Sequence, residues 1–371
     1  METFSERTIQ APSLEEADVG RLQQLCRQLA SAATELDRQQ QWPSRQFNWC
    51  RDAGLFAWFI PQEYGGAGWS EQQLTEVYLN LSQACLTTTF VLTQWNAACK
   101  RIIGSDNEPL KRELLPAMAS GELFATVGIS HLSTSRQHLQ RPVLEAECTA
   151  AGDFLLDGFS PWVTGAAHAD VIVTGATLPD RRQVMLAVPT ATSGVEPHAG
   201  VPLVALTSSC TDRVEFHQAV IDSSRLLAGP VENVLATNAG GGAGGLQTST
   251  LAIGLARAAT GYLAEQARTR TELQPIADRF ADESSALTEM LLQLTTAPDS
   301  CSWTAADLRQ RANSLVLRAT QAALTAAKGA GFVATHPTGR WAREALFFLV
   351  WSCPQPVANA NLCELAQLSS D

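Results

Sequence analysis

The chain has 371 residues, 45% of them apolar and 17% charged, a globular composition long enough for roughly two or three structural units around substantial cores. Its net charge of −11 and pI near 5.1 argue against general nucleic-acid binding and against docking to anionic membranes, and leave an anionic ligand room only at a local basic site. No apolar run reaches the length of about 18 residues that a membrane span needs, and "METFSERTIQAPSLEEADVG" lacks the basic and apolar regions of a signal peptide.

The nine cysteines are scattered, with no C-x-x-C and no zinc-ligand spacing, which suits a cytoplasmic protein with reduced thiols and no metal site. Residues 1–122 read as an N-terminal helical domain. Leu22, Leu25, Leu29 and Ala33 recur at helical spacing, and Ser70 followed by Gln73 is a capping-box pattern. Residues 123–237 change character. Short runs such as "FLLDGF", "DVIVTGAT", "QVMLAVP" and "DRVEFHQAVI", separated by Gly, Pro and Asp, predict a central β domain, a small barrel or sandwich. Residues 238–371 return to long Ala-rich helical patterns whose apolar faces predict a helical bundle.

Two glycine motifs compete for attention. Gly240, Gly242 and Gly245 fit G-x-G-x-x-G, with Glu265 about twenty residues on, but no strand precedes them and Glu265 falls inside a helical pattern. A dinucleotide fingerprint is therefore not expected there. The second motif is "FLLDGFSPWVTGAAHADVIVTGAT", in which a glycine turn leads to Trp162, Val163 and Thr164, then the small pair Gly165 and Ala166, then a strand.

This second stretch resembles the flavin-binding strand pair of the acyl-CoA dehydrogenase family, roughly G-x-K-x-W-I-T-N-A-x-x-A-D. Further blocks follow the same order along nearly the whole chain. "GLFAWFIPQEYGGAGWS" is similar to the family's N-terminal turn, and "KRELLPAMASGELFATVGIS" to its entry into the β domain. "RVEFHQAVIDSSRLLAG" resembles the exit strand, "LAIGLARAATGYLAEQARTR" the first long C-terminal helix, and "AALTAAKGAGFVATHPTGRWAREALFF" the late Gly-Gly and Arg segment. The resemblance implies an α+β fold with an N-terminal helical domain, a central β-barrel domain and a C-terminal four-helix bundle. It also implies bound FAD, an acyl-CoA or other small-molecule substrate, an electron-transfer partner, and a homodimer or homotetramer.

Carried over residue by residue, it puts Trp162, Val163 and Thr164 against the flavin, with Thr164 near N5. The residues alone also allow a core tryptophan and a strand-end threonine. "VGISHLSTSR" stands where the family has T-E-P-x-x-G-S-D. Ser130 would then face the flavin, Ser133 and Thr134 could offer hydroxyls, and Ser135 would face the substrate. His131 replaces the Glu as a candidate acid/base group. A Ser/Thr-rich loop bonding its own backbone, with a structural histidine, is the plain alternative. The family's Q-x-x-GG turn reads Thr325 to Gly329 here, with Lys328 and Gly329 as cofactor candidates. Arg268 or Arg270 would stand in for an arginine that pairs with the FAD pyrophosphate, or be solvated helix-end charges. Trp95, Asn96 and Trp351 could narrow the substrate pocket, or belong to the core.

The resemblance fails at its chemical centre. Dehydrogenation needs a carboxylate of raised pKa to take the α-proton. Aligned on the family's Y-E-G-T, Trp351 takes the Tyr position, Ser352 that of the catalytic Glu and Cys353 that of Gly. The alternative base position, on the first long C-terminal helix, falls near Gly244, and no Asp or Glu lies between Asn233 and Tyr262. Serine does not replace a carboxylate at neutral pH without its own base. Three readings follow: an FAD oxidoreductase acting on CH–CH groups with its base elsewhere, a flavin-dependent monooxygenase that needs none, or a catalytically silent scaffold or interaction subunit.

Overall fold

A computed structural model describes residues 11–133, 142–240, 245–353 and 355–368. Six helices come first: α1 (Glu16–Gln39), α2 (Ser44–Asp52), α3 (Leu55–Trp58), α4 (Glu71–Ala84), α5 (Leu86–Ile103) and α6 (Glu108–Ser120). The helical spacing noted in α1 becomes one buried stripe, Leu22, Leu25, Leu29 and Ala33. The capping box at α4 is formed: Gln73 N–H donates to the Ser70 hydroxyl at 3.3 Å, and Ser70 N–H to Gln73 Oε1 at 2.9 Å. Helix α5 is different. It is buried almost all round, so it is the central strut of the molecule and not a surface helix.

The central part holds β1 (Ala125–Gly128), the short helix α7 (Ser130–Ser133), β2 (Leu144–Cys148), β3 (Phe154–Thr164), β4 (Val171–Thr177), β5 (Gln183–Pro189), β6 (Val195–Pro197), β7 (Thr211–Ile221) and β8 (Leu226–Val231). The strands hydrogen-bond in the order β6-β7-β3-β2-β4-β5-β8, with β1 parallel to β4. The sheet encloses its own core, built from Leu156, Ile172, Leu186, Phe216 and their neighbours. Its outer strands β6 and β8 do not pair with each other, so the barrel stays open among the described residues. β4 and β5 are buried on both faces. Ile172, Ala176, Val184 and Leu186 fill the sheet's core, while Val171, Val173, Met185 and Ala187 pack with the helices. That two-sided burial explains why these strands read as continuous apolar runs.

The chain ends in α8 (Gln247–Ala267), α9 (Gln274–Thr296), α10 (Ala305–Ala327), α11 (Pro337–Ala345) and α12 (Gln355–Leu365). The residues before α8 form 3-10 turns at Val234–Ala236 and Asn238–Gly240 in place of a strand, which removes the dinucleotide reading of the glycine run. α8 crosses α4 closely at Gly254. A Cβ there would lie 2.7 Å from the Leu79 carbonyl oxygen, and Ser82 Oγ donates to Leu251 O at 2.7 Å across the same contact. One core thus joins the N-terminal and C-terminal helices to the outer face of the sheet. No helix among the described residues is long and apolar enough to cross a membrane.

Candidate functional site

Between the end of β3 and helices α4, α5 and α8 lies a cavity of about 1050 Å³. Its β wall is made by a local irregularity. β3 slips register against β7 between Ser160 and Val163, and in that bulge Trp162 adopts φ 57°, a conformation rarely taken by a bulky residue. The bulge turns the indole outward, 57% exposed, onto the cavity, while Val163 on the other face stays in the sheet core. A row of hydroxyl bonds fixes this edge. Ser130 Oγ donates to Pro161 O at 2.7 Å, and Thr126 Oγ1 donates to Thr164 O at 2.7 Å. The Thr164 and Thr211 hydroxyls share a 2.9 Å bond, and Thr211 meets Ser209 at 2.8 Å. Gly165 then turns the chain at φ 66°. A Cβ there would sit 2.5 Å from the Trp42 ring, which stacks on His168 at 4.6 Å. The turn therefore requires glycine.

The helix wall is aromatic. Phe347 stacks on Trp351 at 5.0 Å, and Phe90 meets both rings edge-on at 4.8 and 5.2 Å. The turn that carries these rings is pinned from α10. Arg309 Nη2 donates to Trp351 O at 2.9 Å and to Phe348 O at 3.3 Å, and Asn313 Nδ2 donates to Phe348 O at 3.1 Å. Ser352 follows at φ 44° and lines the cavity beside Trp351. Burial pushes the Cys353 thiol up, with Arg309 only partly opposing, so it is no ready thiolate. Among the described residues of the lining the one carboxylate is Glu71, and Lys100 Nζ holds it at 2.8 Å.

The structure thus brings Ser130, Trp162, Thr164, Trp351 and Ser352 onto one cavity. Others it places elsewhere. His131 Nε2–H donates to Gly175 O at 2.8 Å, which leaves Nδ1 buried without a partner. That ring is a structural plug and not an acid/base group in the cavity. Trp95 is fully buried, edge-on to Phe56 at 4.9 Å and Phe59 at 5.8 Å, and belongs to the core and not to a substrate wall. Arg268 is exposed and pairs with Glu265 at 2.9 Å, and Arg270 Nη1 donates to Ala326 O at 2.9 Å. Lys328 and Gly329 are exposed at the end of α10. None of these four lines the cavity. Ser135 lies outside the described residues.

Burial lowers the His131 pKa below 6.5, more than the bond to Gly175 raises it. A depressed histidine gives stability that is present above its unfolded pKa and lost as pH falls through the folded value. His131→Asn, which keeps a donor for Gly175, should therefore narrow its stability gap to wild type as pH is lowered from neutral to mildly acidic. Urea midpoints at the two pH values check this, and a gap that does not change would mean that the ring is not held neutral by burial.

Residues 22–122 match the sequence pattern of the acyl-CoA dehydrogenase N-terminal domain. The short-chain specific acyl-CoA dehydrogenase of mouse mitochondria is 23% identical over 356 residues, covering 87% of this chain and 84% of the relative. Butyryl-CoA dehydrogenase from Megasphaera elsdenii superposes with a TM-score of 0.81 at 16% identity, over 95% of this chain and 99% of that one. Over residues 22–122 the chain carries the N-terminal domain of the acyl-CoA dehydrogenase family, and over most of its length it is similar to that family's members in sequence and fold. The same fold serves the dibenzothiophene monooxygenase TdsC from Paenibacillus, solved with FMN and indole, at a TM-score of 0.80 and 17% identity over 94% of this chain and 96% of that one. In this chain, sequence reasoning missed Phe90, Phe347 and Arg101 in the cavity wall. Phe90 and Arg101 lie on a helix buried on every side, whose pattern does not reveal which face borders a cavity.

Proposed function

We propose that this protein is a flavin-dependent oxidoreductase that uses the cavity between Trp162 and the Phe90, Phe347 and Trp351 wall. The observation that carries this reading is Trp162 itself. A left-handed backbone holds a large apolar ring outward beside a fixed hydroxyl row, a flat surface on the cavity that a planar partner would cover. The residues present fit a flavin ring: Trp162 would lie against it, with Thr164 and Ser130 at its polar edge. FAD is the flavin that the family resemblance implies, and when bound it supplies hydride acceptance or, once reduced, oxygen activation.

The chain's own residues then do three things. Phe90, Phe347 and Trp351 exclude water and flank the substrate, an acyl-CoA or another small molecule. Arg309 and Asn313 hold the turn that carries Trp351. Ser352 lines the cavity but offers no base. The one carboxylate of the described lining, Glu71, is exposed and beside Lys100, so it lacks the apolar setting of a raised-pKa base, which favours chemistry that needs no α-proton removal. Monooxygenation is therefore the second reading. A large cavity with an exposed tryptophan weighs against a silent scaffold. In the dehydrogenase reading an electron-transferring flavoprotein would be the redox partner, and the C-terminal helices would form a homodimer or homotetramer.

Purified protein should carry stoichiometric FAD, read from its visible spectrum and by extraction, and Trp162→Ala should weaken flavin binding by up to about tenfold. Anaerobic bleaching by acyl-CoAs would assign the dehydrogenase reading. Rapid oxygen consumption by the reduced protein, without such bleaching, would assign the monooxygenase. Absence of FAD even after reconstitution would defeat both.

A further inference from the structure

Arg101 lies in the last turn of α5 and lines the same cavity, yet it is only 5% exposed. Its Nη1 donates to Ala97 O at 2.8 Å, one turn back along its own helix. Its Nε is buried with no hydrogen-bond partner, and it makes no ion pair among the described residues. The one acid of the described lining, Glu71, is exposed and pairs with Lys100 at 2.8 Å, not with Arg101. Burial alone pulls the Arg101 pKa down to about 10, so the guanidinium remains a cation at neutral pH. A buried cation without a counter-ion is costly, and this one borders the cavity.

The surroundings share this character. Thr75, Tyr78, Asn96 and Gln247 line the cavity with it. The Tyr78 hydroxyl is buried near Asn96 and Gln247 but has no well-formed hydrogen bond. Phe90 is in the first turns of the same helix, about 16 Å along the axis from Arg101 at 1.5 Å per residue. One end of the cavity is therefore aromatic and the other holds donors that lack an acceptor. An all-hydrocarbon chain filling this space would leave the guanidinium and the phenol unpaired.

We propose that Arg101 forms an anion subsite, so that the substrate carries a carboxylate remote from its reacting carbons, bound by the guanidinium with Tyr78 as a further donor. This rests on reading the cavity as the substrate pocket of a flavin oxidoreductase. A carboxylate fits the guanidinium fork better than a single-point acceptor does, and the pairing gains strength where water is excluded.

The test compares α,ω-dicarboxylates (adipate, suberate, sebacate) and their CoA monothioesters with the matching monocarboxylates and with CoA alone. Each is titrated into the purified protein, with binding read by calorimetry and by thermal shift, and flavin content is recorded separately. At least one dicarboxylate form should bind about tenfold or more tighter than its monocarboxylate. Arg101→Met should abolish that preference while raising the melting temperature of the ligand-free protein, because it removes an unpaired buried charge. Arg101→Lys should recover part of the preference. Equal binding of the two series to wild type overturns the subsite, as does a loss in Arg101→Met that is the same for CoA alone. A protein without flavin that still shows the Arg101-dependent preference keeps the subsite and loses the flavin reading. A flavin-loaded protein without the preference does the reverse.

Discussion

Arg340→Leu should lower folding stability by about 3–5 kcal/mol, the range for breaking a buried ion pair by removing one partner. Arg340 and Glu344 stand one turn apart on α11, 4% and 1% exposed in their side chains, with Arg340 Nη1 at 3.1 and 3.2 Å from the two carboxylate oxygens. Burial raises the Glu344 pKa, and the Arg340 guanidinium is the main influence holding it down. Without Arg340 the carboxyl must either stay charged in an apolar setting or take up a proton. A carboxyl with a raised folded pKa contributes its stability below the unfolded value and loses it as pH rises through the folded one. The deficit of Arg340→Leu should therefore be smaller in acid than at neutral pH. The double variant Arg340→Leu/Glu344→Leu should recover most of the loss, since apolar side chains of similar volume often replace a buried pair at little cost. Urea unfolding of the three variants at two pH values measures this. A single-variant loss below about 1 kcal/mol, typical of a surface change, would mean that the pair is not buried in solution. The same helix leads into the turn bearing Phe347 and Trp351, so the pair is also a support of the cavity's aromatic wall.

How much of this was legible beforehand depended on how local the cause is. The Ser70 and Gln73 cap and the Leu22 to Ala33 stripe are set by neighbours three or four residues away, and both form as the spacing implies. The stretch from Trp162 to Gly165 is likewise local: a bulge, a left-handed tryptophan and a glycine turn leave their mark in consecutive residues. His131 depends instead on the Gly175 carbonyl, forty-four positions away, and a lone histidine in a loop gives no hint of it. Trp95 and Phe90 sit on one helix buried from all sides, so periodicity cannot separate the core-facing ring from the cavity-facing one. Arg268 and Arg270 read equally well as phosphate ligands or as solvated helix-end charges, and here one has a surface ion pair and the other a backbone carbonyl. Arg101 reads as an ordinary charge beside Lys100. Its isolation exists only once α4, α5 and α8 enclose it.

Ser352→Glu should give the protein a base, raising anaerobic acyl-CoA-dependent flavin reduction by about 10²–10⁴-fold over Ser352→Gln, the usual worth of a positioned general base. Residue 352 lines the cavity directly after Trp351, on a turn that Arg309 and Asn313 hold through the Phe348 and Trp351 carbonyls. A glutamate there would face Phe90, Phe347 and Trp351. Ser352 itself is exposed, so it is a bound substrate closing over these rings that would exclude water and raise the carboxyl pKa toward neutrality, where a base that removes a weakly acidic proton works best. The backbone sets a cost. Ser352 has φ 44°, and a longer side chain in that conformation is strained by about 1–3 kcal/mol, which a surface turn can absorb at some loss of stability. Ser352→Gln carries the same shape and strain without the base, so the ratio of the two variants isolates proton removal from packing. A Glu variant that binds FAD and acyl-CoA yet reduces the flavin no faster than the Gln variant would show that this turn does not face the reacting carbon. In that case the aromatic wall of Phe90, Phe347 and Trp351 would hold some other part of the substrate, and the dehydrogenase reading would lose its geometric basis while the oxygen-dependent one kept it.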